Sequence, residues 1–273
     1  MNTELSDGVD YGRSAPSPSC VGIERLLVLF RNEGVKSCLD AFCKKYVAND
    51  YSLNVLTALR DNIRIGRPFC SPSRVDSSTE KDLVEGLSAM LSLFLERKVK
   101  QQLILTIIQW YSKILQSCCR PPPSSSLASS AAPAILPAAT QCLDAFPSEP
   151  LLTDPALQLL KALLSAPSGR SGASSRVVTA ELQAALQAAD VAATLLRVMA
   201  HNPADSALAA QSFGLLAQWC AVCSRAGEAM DDPAFAETLA AYLEAAHLAP
   251  AAVPTLLQIL NAVLTSGGRA RRR

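Results

Sequence analysis

The stretch with the most obvious chemical potential is Trp219–Cys223, WCAVC, in which two thiols stand at the spacing of a disulfide-exchange site beside a tryptophan. Such chemistry needs the first cysteine at a helix N-terminus, where the positive end of the helix dipole stabilises a thiolate. Here the pair lies late in a helical pattern that begins at Asp205, so the nearby helix end opposes ionisation. Both cysteines are therefore expected to be buried core side chains. A zinc site fares no better, because one Cys-x-x-Cys with distant His201 and His247 lacks the second paired element of a tetrahedral ligand set. Cys118 and Cys119 are adjacent, and adjacent helical side chains point about 100° apart. No GxSxG, HExxH, Walker or Rossmann string occurs. Catalytic residues, metal and cofactor are all expected to be absent, and the chain is read as a non-enzyme.

Two other constellations could bind rather than react. The chain ends in RARRR, Arg269–Arg273, which could contact phosphate or act as a nuclear-import signal, or could simply be solvated. The second is a polar edge running along a series of helices: Asn54 and Arg60, Gln109 and Lys113, Gln158 and Lys161, Gln218, then Gln258 and Asn261. An amide donates and accepts at once, so a ladder of amides suits the backbone of an extended peptide. Gln109, Lys113, Gln158, Lys161, Gln218, Gln258 and Asn261 are the expected partner-binding residues. The same residues also suit an ordinary solvated helix face.

These positions depend on helices, and helical periodicity is the chain's main signal. Lys98–Cys119 is the strongest case: Leu103, Ile107, Tyr111, Ile114 and Cys118 recur at helical spacing beside Ile104, Ile108 and Leu115. Its polar stripe is Gln102, Thr106, Gln109, Lys113 and Ser117, along a rod roughly 30 Å long. So wide an apolar face predicts an inner helix of a layered stack. First members of helix pairs are predicted to start near Val35, Glu80, Ala134, Ala180 and Ala234, and second members near Ser52, Val99, Leu151, Asp205 and Ala251. The interval is roughly 45–54 residues. A further short helix over Val21–Arg31 precedes them and stops around Gly34, and Thr79 is the expected cap of the helix that follows the loop Gly66–Ser78.

Composition sets the wider limits. The 273 residues are 49% hydrophobic, 5% aromatic and 18% charged, with a net charge of +1. That balance fits an Ala/Leu-rich helical protein and argues against direct binding of nucleic acid. Residues 1–120 carry 16 Lys or Arg against 13 Asp or Glu, whereas residues 121–273 carry 9 against 11, so the two halves differ in character. An odd count of nine cysteines, seven of them in helical patterns, behind a polar and acidic opening segment, predicts a reducing, intracellular setting, cytoplasmic or nuclear. No apolar run is long enough for a membrane span.

The expected organisation is a disordered leader over 1–19, helical repeats over 20–119, a Pro/Ser-rich flexible connector over 120–133, Ala/Leu-rich helical repeats over 134–266 and a basic tail over 267–273. The recurring cores LQLLKALL (Leu157–Leu164), FGLLAQWC (Phe213–Cys220) and PTLLQILNAVL (Pro254–Leu264) carry a resemblance. Over about Val21–Thr265 the chain resembles the armadillo/HEAT-like α-helical repeat proteins. That resemblance implies an all-α, irregular right-handed stack of antiparallel helix pairs, and a protein-binding adaptor or scaffold that holds a partner segment along its surface. The alternative is a nuclear factor associated with nucleic acid or chromatin complexes through partners and the basic tail. Nuclear import receptors of the armadillo type repeat a Trp followed four residues later by Asn. Here Trp110 is followed at that offset by Ile114 and Trp219 by Cys223, which argues against an import-receptor role. The partner's identity and the oligomeric state are not encoded in any of these features.

Overall fold

The computed structural model describes residues 17–63, 77–118, 125–165 and 184–223, with 182, 237 and 240. Among the described residues the ordered elements are helices, with no strand. The first is α1 (Pro18–Glu33), capped by Ser17, whose Oγ accepts from the Cys20 N–H at 3.4 Å. It begins inside the expected leader, because proline at the first helical position needs no N–H partner and its fixed φ suits the helix. Gly34, at φ +91°, turns the chain directly into α2 (Val35–Lys45). The left-handed region is open to glycine at little steric cost, so the break falls where the sequence puts it.

Next come α3 (Ser52–Asn62), α4 (Ser77–Arg97) and α5 (Gln101–Cys118). Since α4 starts at Ser77, Thr79 lies within the helix rather than capping it. Then follow α6 (Ser125–Ala145), α7 (Pro150–Leu164), α8 (Val191–His201) and α9 (Ser206–Val222). Asp190 caps α8 by accepting from the Ala193 N–H at 3.2 Å, and Asp205 caps α9 by accepting from the N–H groups of Ala207 and Leu208. A short helical piece over 184–188 precedes Asp190, so the division expected near Asp190 is present, and the pair expected to open near Ala180 has its long first helix at Val191. The expected final pair, from Ala234 and Ala251, lies outside the described residues.

The helices form two rows. In one row α2 packs on α4, α4 on α6 and α6 on α8; in the other α3 packs on α5, α5 on α7 and α7 on α9. Short turns join α4 to α5, α6 to α7 and α8 to α9, which makes each pair antiparallel. α1 lies against α2 and α3 at the start of both rows. Gly86 admits the close approach of α4 to α2, where a Cβ would stand 2.8 Å from Leu39 Cδ1.

One buried cluster runs from Leu26 to Cys223 without interruption at the expected connector. The connector assignment is corrected in part: α6 occupies 125–133 as well as 134–145, and α4–α6 and α5–α7 packing joins the two presumed lobes. Serine and alanine tolerate a helix that packing stabilises, and proline costs least where it faces out. Pro137 is exposed and Pro133 half-buried, and the Thr140 hydroxyl donates to the carbonyl of Pro137 at 3.0 Å.

Candidate functional site

In α5 the buried face is as wide as its sequence predicts: Leu103, Ile104, Ile107, Ile108, Trp110 and Tyr111 are essentially inaccessible. The opposite stripe is narrower than predicted. Gln102, Gln109 and Lys113 are exposed, but Thr106 is buried and its hydroxyl donates to the Gln102 carbonyl at 2.8 Å, a local bond that removes it from the surface.

Because α3, α5, α7 and α9 lie side by side, their outward edges form one polar surface. At its α3–α5 end the side chains are committed to one another. Arg60 Nη1 donates to Gln109 Oε1, Arg60 Nε lies 3.2 Å from Asp61 Oδ1, and Lys113 Nζ reaches the same oxygen at 2.7 Å. The Lys113 bond, helped by Arg60 and opposed by partial burial, holds the Asp61 carboxyl below its ordinary pKa. At the α7–α9 end the ties are looser. Ser165 Oγ donates to Gln218 Oε1 at 3.5 Å, the outer limit of a hydrogen bond. Gln158 and Lys161, both exposed on α7, have no hydrogen bond or ion pair among the described residues.

The seven expected partner-binding residues thus divide. Gln109 and Lys113 are engaged within the molecule, Gln218 is engaged weakly, Gln158 and Lys161 are open, and Gln258 and Asn261 lie outside the described residues. Sequence reading passed over Asp61 and Ser165, which decide this division. Their signal was the repeat interval: Asp61 precedes Lys113 by 52 residues and Ser165 precedes Gln218 by 53, within about one helical turn of the spacing between neighbouring second-row helices.

The other row is tied in the same way. Lys36 Nζ lies 2.9 Å from Glu85 Oε2 and 3.1 Å from Asp82 Oδ1, and Arg197 pairs with Asp144. Asn202 Nδ2 donates to the Pro147 carbonyl at 2.7 Å, joining the turns after α6 and α8.

The thiols sit in settings that suppress ionisation. Cys220 lies in the last turns of α9, and burial, with a smaller contribution from Cys223, pushes it up to about 12. Burial alone pushes Cys38 and Cys142 up to about 12. Exposed His201 turns its Nδ1 to the Arg197 carbonyl at 2.8 Å. Among the described residues no group of three or more His, Cys, Asp or Glu could hold a metal ion, and no helix is long and apolar enough to cross a membrane.

Comparison with family models, with curated proteins and with solved structures returns no match for this chain.

Proposed function

We propose that this protein is a non-enzymatic adaptor or scaffold that holds a segment of a protein partner along the outer edge of its second helix row. In this reading the two rows continue as an irregular armadillo/HEAT-like right-handed stack of antiparallel pairs, and the protein works inside the cell, where its buried thiols stay reduced. The observation that carries the reading is the open pair Gln158 and Lys161 on α7, beside the weakly held Gln218. Polar groups that have no partner within a rigid frame keep their full hydrogen-bonding capacity for a ligand, and little side-chain reorganisation is needed to use it. The Gln109–Lys113 part of the edge contributes less, because a ligand there must first break contacts to Arg60 and Asp61.

A photo-crosslinking amino acid placed at Gln158 in the full-length protein tests this in cells. A discrete protein adduct is expected from Gln158, and none from the same probe at Lys36 on the opposite row. Equal labelling from both positions, or none from Gln158, would exclude the edge as the binding surface.

A further inference from the structure

A second surface gathers positive charge where the chain passes from the first row to the second. Lys44 and Lys45 close α2, Arg97 closes α4, and Lys98 and Lys100 stand in the turn to α5. α2 and α4 pack side by side. The turns that follow them are drawn together, since Lys100 Nζ lies 3.7 Å from Asp50 Oδ1. Asp40 occupies Lys44 at 2.6 Å. The exposed side chains of Lys45, Arg97 and Lys98 have no acidic partner among the described residues.

Complementing the negative ends of α2 and α4 accounts for Lys44, Lys45 and Arg97. The same end favours a cation at Lys98, the first residue past α4, but it does not account for Lys100, and Lys98 has a steric cost of its own. Its φ is +48°, the left-handed region, while its N–H bonds the Leu95 carbonyl at 3.4 Å and the Val99 N–H bonds the Phe94 carbonyl at 3.2 Å. A helix end of this form ordinarily takes glycine, which closes it without a Cβ clash. In this chain a strained position instead adds one more exposed charge beside Lys45 and Arg97.

We propose that Lys45, Arg97, Lys98 and Lys100 form a cationic docking surface for an acidic segment of a partner protein. Asp50 lies in the turn after α2 and Glu96 in the last turn of α4, so a continuous phosphate backbone would meet like charge there. An acidic peptide can place a few carboxylates on the lysines and avoid both acids. The surface is separate from the Gln158–Lys161 edge and does not depend on the function proposed for it.

The test is fluorescence anisotropy of the full-length protein with a fluorescein-labelled peptide of alternating Glu and Gly, at low and at physiological salt. Binding that weakens with salt is expected, together with a loss of about tenfold or more in the Lys45→Glu/Arg97→Glu/Lys98→Glu variant at unchanged far-UV circular dichroism. Lys98→Gly separates docking from helix termination: a higher Tm with several-fold weaker peptide binding is expected, and Lys98→Arg should retain binding. A higher Tm in Lys98→Gly with peptide binding unchanged would overturn the role of Lys98. Binding by the triple variant equal to that of the parent would overturn the surface, and tighter binding of a single-stranded oligonucleotide than of the peptide would overturn the occupant.

Discussion

Between α2 and α5 the core is filled by rings and long side chains, namely Phe42, Phe94, Trp110, Tyr111 and Met90. Between α6 and α8 it is filled mainly by Ile135, Ala138, Ala139, Leu152, Ala156, Leu160, Val191, Leu195 and Met199, with Phe146 half-buried against it, and fully buried rings return with Phe213 and Trp219 on α9. The two regions also treat buried polar atoms differently. The Tyr111 hydroxyl meets Ser88 Oγ at 3.0 Å, and burial raises its pKa despite that bond. On α9, Gln211 Nε2, Ser212 Oγ and Trp219 Nε1 are buried with no partner, whereas in the first five helices Ser52 Oγ is the comparable atom. Each unmet buried donor or acceptor costs about 1–3 kcal/mol. The same two-row packing is thus reached from a few large, satisfied side chains at one end, and at the other from many small ones with polar groups left over. The difference teaches that, among the described helices, α9 is the one expected to open first.

Removing a ring from the first region is the severest way to probe this contrast. Trp110→Ala should lose about 3–5 kcal/mol in urea unfolding monitored by circular dichroism, while Ala139→Gly in α6 should lose about 1 kcal/mol. Because one core spans both regions, a single transition is expected in each variant; separate transitions for the two ends would break the comparison.

The unmet polar atoms give the next largest effect. Ser88→Ala leaves the buried Tyr111 hydroxyl without its partner and should cost about 1–3 kcal/mol. Trp219→Phe removes an N–H that already has no partner, which offsets much of the ring volume lost, so it should cost less than Ser88→Ala. The reverse order would show that α9 is not the weaker end.

The smallest effects belong to the ion pairs, whose exposed charges are screened by solvent. Asp61 and Glu85 have pKa values lowered chiefly by their bonds to Lys113 and Lys36. Their contribution is present above the unfolded carboxyl pKa of about 4 and is lost as pH falls through the lower folded value. Lys36 is raised by the same contacts, so its share is complete below its ordinary value and lost only in strong alkali. An acid titration of stability should therefore show a flatter loss below about pH 4 in Asp61→Asn than in the parent. Identical acid profiles would mean that the α3–α5 tie contributes nothing measurable.

Much of the framework was legible in advance because helices announce themselves locally. Leu103, Ile104, Ile107 and Ile108 recur at the period of a helix, Gly34 breaks α1 from α2, and Asp190 and Asp205 cap helices as short polar side chains do. The connector was read less well. Ser125–Pro133 looks like a linker by composition, since proline and serine are poor helix formers, yet packing of α6 on α4 and α7 outweighs that local preference. The polar edge was legible as a row of residue types and not as a site. Gln109 and Gln158 are the same residue at equivalent positions of neighbouring units; one is held by Arg60 and the other is open, and the difference comes from a side chain about fifty residues away.

The sequence by itself determined where most of the helices form, which face of each is apolar and the approximate interval at which pairs return, because these follow from contacts within three or four residues. Tertiary structure decided that the two halves share one core, that Thr106 is buried, that Lys113 belongs to Asp61, and that α2 lies beside α4. Those outcomes depend on which helices lie side by side. That is settled by packing between segments about fifty residues apart, and no local pattern specifies it.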